Sequence, residues 1–536
     1  MNNNRNKDSF LKGAIILGAA GILVKIMGAF FRIPLGNLIG STGMGYYQAA
    51  YPVYTLFLNL AIAGFPTALA KLVSEKTAIG DHRGANKIFK VSYTVLLITG
   101  LISFAVFFFG AKPIVQMMNN EGAYYAMLAI SPALLFVPVM SSYRGYFQGK
   151  RDMSKIAISQ IGEQFFRVIL GIGLAYYFMN KSGPEMGAAG AIAGATIGAI
   201  AAITYLIFAY AREGKQRRAQ LKASKNYKEE KTSRILKRIL VVAVPISIGA
   251  SVMPLMNLID NAIVISRLTE GGLSHNEAVS LFGQLTGMAM AIINLPSVIT
   301  AAIGMSLVPS ISESYALGNK PKARKETKSA IKVTLLLVLP AAFGLAALAG
   351  PIMQLLYPKE PPTIGIILLV LTPCVIFLGL MQTLNGILQG MGKPMVPVIA
   401  LLIGMASKIT ISYTLTVRPE INVIGSALGT VAAYLIAASF ELYYVKKNMG
   451  VKFSTKEFVI KPLITVITMF IVVKLSYGFI NPILGNSIAT IISIAIGGLV
   501  YLLVLLGIGG IKKEEMLTMP KGAKLYNILR KLKLMR

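Results

Sequence analysis

Lys25 and Arg32 stand seven residues apart in a run otherwise built for lipid, GAIILGAAGILVKIMGAFFRIPLGNLIG, and that spacing puts both on one helical face. A cation near the middle of a membrane costs about 2.5–3.5 kcal/mol on insertion scales, so such side chains are hidden in a polar cavity or paired. The run itself contains no acidic residue to pair with them. Two fixed positive charges on one face are the chemistry of an anion site, and an acidic, phosphate-bearing molecule suits it better than a cationic drug does.

Few other charges interrupt the apolar runs. Glu163 and Arg167 lie four apart in SQIGEQFFRVILG, a spacing at which they can neutralise each other on one helix or serve a function. Asp260, in MNLIDNAIVISR, and Lys408 are expected either to pair with each other or to take part in gating. Arg267 and Lys474 read as side chains that reach an interface. A catalytic constellation is missing from the sequence: it has no Walker A run, no HExxH, no GxSxG and no paired carboxylates in a polar setting. The expectation is a transporter rather than an enzyme, with no cofactor or metal, powered by the membrane potential, by Na+ or H+, or by a partner. The lone cysteine, Cys374, falls in an apolar run, which leaves neither a disulfide framework nor a thiolate metal site. His82 and His275 fall in expected loops.

The elements that must position these charges are membrane helices. Of the 536 residues, 55% are apolar and only 14% charged, against about 25% in soluble domains. Mean hydropathy is +0.66. The net charge of +32 invites a nucleic-acid reading, but the cations cluster in short links between apolar runs and follow the positive-inside rule. Apolar runs between polar breaks predict about fourteen spans, making an all-α polytopic membrane protein. The links 71–90, 144–155, 211–238 and 320–328 are basic and the alternate links are poor in cations, which puts both termini in the cytoplasm. The opening MNNNRNKDSFLKG is basic, yet the apolar stretch behind it is too long for a signal peptide and contains Lys25. The C-terminal KGAKLYNILRKLKLMR reads as a basic amphipathic segment lying on anionic membrane lipids. With no Trp, any interfacial aromatic belt relies on the 23 Tyr.

An internal repeat organises the spans. KLVSEKTAIGDHRGANKIFK (71–90) matches PSISESYALGNKPKARKETK (309–328), and GYFQGKRDM matches GILQGMGKPM. A six-span repeat unit implies two lobes of the same orientation, residues 1–212 and 234–447, joined by a basic cytoplasmic linker, 213–233. Spans 13 and 14 occupy 448–510, and a basic tail 511–536. GAAGAIAGATIGAIAAI in span 6 permits close helix packing, and Pro66 and Pro296 interrupt spans 2 and 8 as kinks or hinges.

FLKGAIILGAAGILVKIMGAFFRIPLGNLIGSTGMGYYQAAYP, AGFPTALAKLVSEKTAIGD, YRGYFQGKRDM and LNGILQGMGKP resemble the corresponding segments of the stage V sporulation protein B type of polysaccharide flippase. That branch belongs with the multidrug and toxin extruders, the oligosaccharidyl-lipid flippases and the MurJ-type lipid II flippases. The resemblance implies two six-helix lobes around a central cavity, plus two C-terminal helices. It also implies alternating access and movement of an undecaprenyl-pyrophosphate-linked sugar to the outer leaflet. In MurJ-type relatives cations of span 1 line the cavity; Lys25 falls where the first lies, Arg32 within about one residue of the second, and Gly28 fits between them. Two family cations are replaced: the span 2 arginine aligns near Asn59 and the span 8 arginine near Ala291, so Arg167 is the candidate to share their role. Some relatives bind sodium with acidic and amide residues, a role for which Asn257 and Asp260 are placed, although Lys408 argues against a cation there.

The substrate-binding candidates are therefore Lys25, Arg32, Arg167, Glu163 and Asn59, and the gating or coupling candidates Asp260, Lys408 and Asn257. The expected function is a flippase for lipid II or a related precursor in the bacterial cell membrane. Its ligand is an anionic lipid-linked oligosaccharide, its surroundings membrane lipids, and the cell-wall synthesis machinery a potential partner. The alternative is a cation-coupled multidrug exporter of the same fold, which needs an acidic residue in the first lobe that only Glu163 can supply. A scaffold in a sporulation or division complex would need neither Lys25 nor Arg32.

Overall fold

A computed structural model of the protein describes residues 2–224, 227 and 229–510, with side chains from residue 16 onward. The amphipathic segment expected in 511–536 lies outside the described residues. Among those described there are no strands. The helices run α1 (Asn2–Ile62), α2 (Phe65–Ala78), α3 (His82–Met117), α4 (Tyr124–Ile130), α5 (Ala133–Gly149), α6 (Met153–Ser182), α7 (Pro184–Arg212), α8 (Gly214–Lys222), α9 (Thr232–Glu270) and α10 (His275–Phe282). They continue as α11 (Met290–Ile293), α12 (Ser297–Ala316), α13 (Lys320–Ala347), α14 (Ala349–Leu356), α15 (Ile364–Leu371), α16 (Pro373–Gly390), α17 (Met395–Leu415), α18 (Val423–Met449) and α19 (Lys461–Gly507).

Ten helical stretches among the described residues are long and apolar enough to cross a membrane. Two of them are broken midway by a kink. Gly40 (φ 67°) breaks α1 and Gly485 (φ 73°) breaks α19, at a positive φ that only glycine adopts without strain. Each of these stretches therefore supplies two spans. His275–Ile293 and Ser297–Ala316, bent by 55° at a short break just before α12, form another. The 30-residue α6 is long enough to be the remaining one, although it carries Lys155, Glu163, Arg167 and Lys181. The fourteen expected spans are thus accounted for, and the protein is a multi-pass membrane protein. Large apolar side chains such as Phe109, Phe208, Phe479 and Ile483 point outward, as a lipid surrounding favours.

The chain forms two compact units, Met1–Met288 and Ala289–Arg536. The first takes in α9 and α10 because α9 packs on the first spans: a Cβ on Gly64 would collide with the backbone of Ala243. Packing and repeat therefore divide the chain at different places, and the lobe limits read from the repeat remain a proposal.

Within each unit the repeat has a structural counterpart. Gly80 (φ 80°) ends the turn after α2, and Gly318 (φ 65°) ends the one after α12. The next residue caps the following helix in both: Asp81 accepts from the Gly84 N–H at 2.8 Å, and Asn319 from the Lys322 N–H at 3.1 Å. Gly149 packs on Ala70 and Val73 of α2, as Gly390 packs on Val308 and Ile311 of α12. Gly100 of α3 lies against Pro138 of α5, whereas in the second unit Val338 of α13 lies against Gly379 of α16. The close approach is kept while the small residue changes helix.

The link between α7 and α9 is fastened to the turn between α2 and α3. Tyr227 donates to the carbonyl of Ile79 at 3.0 Å, and Arg83 donates through its N–H to Ser224 (3.2 Å) and through Nε to the carbonyl of Leu221 (3.2 Å). Ion pairs surround these bonds: Lys76–Asp81 at 3.0 Å, Lys87–Glu229 at 2.9 Å, Arg238–Glu75 at 2.6 Å and Arg238–Glu230 at 3.3 Å. Nearby, Lys155 pairs with both Asp152 and Glu213.

Candidate functional site

The site is built where α6 is held between α1 and α7. Gly190, Gly194 and Gly198, four apart on α7, let its backbone press against the carbonyls of Leu174, Arg167 and Glu163, so any side chain at these glycines would push α6 away. On the other flank Gly28 of α1 faces Gln164, and Phe31 packs on Gly171. These contacts set the part of α6 bearing Glu163 and Arg167 beside the turns of α1 bearing Lys25 and Arg32.

Glu163 and Arg167 do not pair with each other. Glu163 accepts a hydrogen bond from Arg144 of α5 at 2.8 Å, in an ion pair only partly exposed on either side, and Arg144 also donates to Ser159 at 3.0 Å. The guanidinium of Arg167 instead donates to the hydroxyls of Tyr47 (3.2 Å) and Tyr51 (3.3 Å). It also lies 4.9 Å from the centre of the Tyr51 ring. Tyr47 and Tyr51, one turn apart on α1, stack at 6.0 Å with their planes 9° apart. Arg32 is close enough for its charge, like those of Arg167 and Glu163, to act on the Tyr51 hydroxyl.

The arrangement is therefore unbalanced. Its carboxylate is engaged by Arg144, while among the described residues Lys25, Arg32 and Arg167 have no carboxylate partner. Arg32 and Arg167 are half-buried and Lys25 is exposed. Such a set can hold an anion: the guanidinium groups offer paired N–H donors to phosphate oxygens, and Lys25 adds a mobile point charge. Tyr47 and Tyr51 escaped the sequence reading, which took Arg144 only as a cation of the basic link 144–155. The tyrosine pair is visible as a four-residue spacing in GYYQAAYPVY, but nothing in that run names Arg167 as its partner.

Asn59 is not placed as a free ligand. Its amide donates to the carbonyl of Ala250 at 2.8 Å. Pro254, four residues on, has no N–H to give that carbonyl, so Asn59 satisfies the bond the proline removes. Also on α9, Asn257 is exposed and Asp260 is 7% exposed. Lys408 is 6% exposed on α17 of the second unit. Arg267 pairs with Glu270, and the exposed Lys474 lies over the Phe470 ring at 5.4 Å.

The family described as polysaccharide biosynthesis protein matches residues 10–315, more than half of the chain. The chain belongs to that family. The chain also matches the MatE family over residues 245–414. It is 29% identical to stage V sporulation protein B of Bacillus subtilis over 96% of its own length and 98% of the relative's. It is 27% identical to lipid II flippase MurJ of the same organism, covering 92% and 94%. Its fold is that of a solved lipid II flippase MurJ in an inward closed conformation, with a TM-score of 0.67 at 18% identity over 91% of this chain and 98% of that one. The resemblance to the stage V sporulation protein B type is borne out, and with it the all-α fold of that superfamily.

Proposed function

We propose that this protein is an alternating-access flippase. It moves an undecaprenyl-pyrophosphate-linked saccharide, lipid II or a related cell-wall or polysaccharide precursor, from the inner to the outer leaflet of the bacterial cell membrane. The observation that carries the reading is the set Lys25, Arg32 and Arg167 on α1 and α6, three cations without a carboxylate partner among the described residues. A pyrophosphate is anionic at neutral pH, and fixed cations in a place of low dielectric offset the loss of its hydration. The lipid tail stays in the bilayer, so only the polar head crosses.

With both termini in the cytoplasm, the membrane potential drives an anionic head outward by about 2.3 kcal/mol per charge per 100 mV. That supplies energy without a nucleotide site. The potential, alone or with Na+ or H+, is the energy source in this reading, and the cell-wall synthesis machinery delivers or consumes the lipid.

The second reading, a cation-coupled multidrug exporter, is favoured by the MatE match but needs a free carboxylate in the first unit. The Arg144–Glu163 pair removes the candidate the sequence offered. Reconstituted vesicles offered either a lipid-linked pyrophosphoryl saccharide or a lipophilic cationic dye separate the two. The flippase reading expects transfer of the first only; dye export without lipid transfer reverses the assignment.

A further inference from the structure

Glu441 is a carboxyl group that the proposed anion site does not use. It lies on α18, in the four-residue stripe Ala433, Ala437, Glu441, Val445 and Met449, all buried. Its own exposure is 0%, and neither carboxyl oxygen has a hydrogen-bond partner. One turn further along the stripe, Val445 packs in an apolar cluster with Ile331 of α13 and Leu384, Ile387 and Leu388 of α16. Lys446 and Lys447, exposed at the end of the same helix, face away from that interior.

No charged group on the elements packed against α18 hydrogen-bonds the Glu441 oxygens, although α13 carries Lys320, Lys322, Arg324, Lys325, Glu326, Lys328 and Lys332. α15 carries no titratable side chain, and α16 carries only Cys374. α17 brings Lys408 and Tyr413. The backbone of Lys408 lies against Gly429, and from there to Glu441 is about 18 Å of helix rise. On α13, Arg324 donates to the carbonyl of Met449 at 2.5 Å, and Lys332 makes interactions of its own that do not reach the Glu441 oxygens. A charged carboxylate without donors or a counter-ion is not sustained in an apolar interior, whereas the neutral acid is. A structural role alone would be filled as well by leucine or methionine.

We propose that Glu441 is a proton-binding site of the transport cycle. It carries its proton while the interior formed by α13, α16, α17 and α18 is closed, and releases it to water when that interior opens. The assignment of a cycle rests on the flippase reading; the proton site itself does not. It makes H+ the coupling ion and assigns coupling to the second unit, whereas the anion site belongs to the first.

Two measurements on the full chain test it. The protein lacks Trp, so unfolding is followed by circular dichroism in lipid nanodiscs as pH rises from about 5 to 9, a range above the ordinary glutamate value of about 4.3. An acid kept neutral when folded and ionised when unfolded adds stability that is lost as pH rises. Wild type is expected to lose melting temperature across this range more steeply than Glu441→Gln and Glu441→Met. In vesicles, an imposed pH gradient is expected to change the wild-type rate of lipid transfer several-fold and to leave both variants unresponsive. Equal pH slopes of melting for wild type and Glu441→Gln overturn the proton site. Wild-type vesicles that transfer no lipid overturn the flippase reading, while the melting comparison still decides the site.

Discussion

In the first unit, the cations of the polar connections and those of the spans are treated in opposite ways. Lys76, Lys87, Lys155 and Arg238 each meet one or more carboxylates, half of which (Glu213, Glu229 and Glu230) lie on the segment that links α7 to α9. Lys25, Arg32 and Arg167 meet none, although water screens them less and their charge costs more. Several charges are paired where pairing is cheap, while three are left without a carboxylate where that is expensive. Glu163, one turn from Arg167 on α6, is turned toward Arg144. In the proposed reading, the difference separates charges that fasten a link from charges kept for a ligand.

Removing a reserved charge should break this contrast most. Arg167→Ala is expected to lower lipid transfer about 10- to 100-fold, the scale of a charged hydrogen bond to phosphate, with normal membrane insertion. Arg167→Lys should recover little, because an ammonium cannot meet two tyrosine hydroxyls and a phosphate with the same fork. Full activity of the alanine variant in a reconstituted assay would return Arg167 to a packing role.

Next in size are two changes to the scaffold. Gly194→Leu forces α7 away from the Arg167 carbonyl, an overpacking cost of about 1–3 kcal/mol that should appear as a lower melting temperature. Asn59→Ala removes the exposed hydrogen bond to the Ala250 carbonyl, a loss of about 0.5–1.5 kcal/mol. Its signature is loss of stability at unchanged apparent affinity for the lipid. A weakened affinity with intact melting would instead make Asn59 a ligand.

The smallest effects belong to the fastened link. Glu229→Ala removes the partner of Lys87, and Glu229 is 79% exposed, so the expected loss is at most about 1 kcal/mol in denaturation, with transfer unaffected. A transfer defect here comparable to that of Arg167→Ala would dissolve the distinction between the two groups of cations.

The spans were legible because composition and length suffice for a lipid-crossing helix, and the repeat was legible down to its capping turn, Gly80–Asp81 and Gly318–Asn319. The small residues of α7 announced close packing, and the contacts along α6 supply it. What the sequence hid was partnership across helices. Glu163 has Arg167 one turn away, but on an exposed peptide that pair would gain only a few tenths of a kcal/mol. Arg144, on another helix and oriented by Ser159, wins the carboxylate, and the phenols of α1 take the freed guanidinium. Asn59 looked like a replaced cation because alignment sees the side chain and not the carbonyl that Pro254 leaves open. Glu441 was overlooked because FELYYVKKNMG reads as the polar end of a span.

The central claim is that the unpaired cations of α1 and α6 hold the pyrophosphate head while it crosses. It is tested most directly by transfer of a lipid-linked pyrophosphoryl disaccharide across reconstituted vesicles, comparing wild type with Arg32→Ala at matched protein incorporation. Wild type is expected to show measurable transfer and the variant a loss of about tenfold or more, the effect of about 1.4 kcal/mol or more of binding. Transfer by Arg32→Ala at the wild-type rate would contradict it.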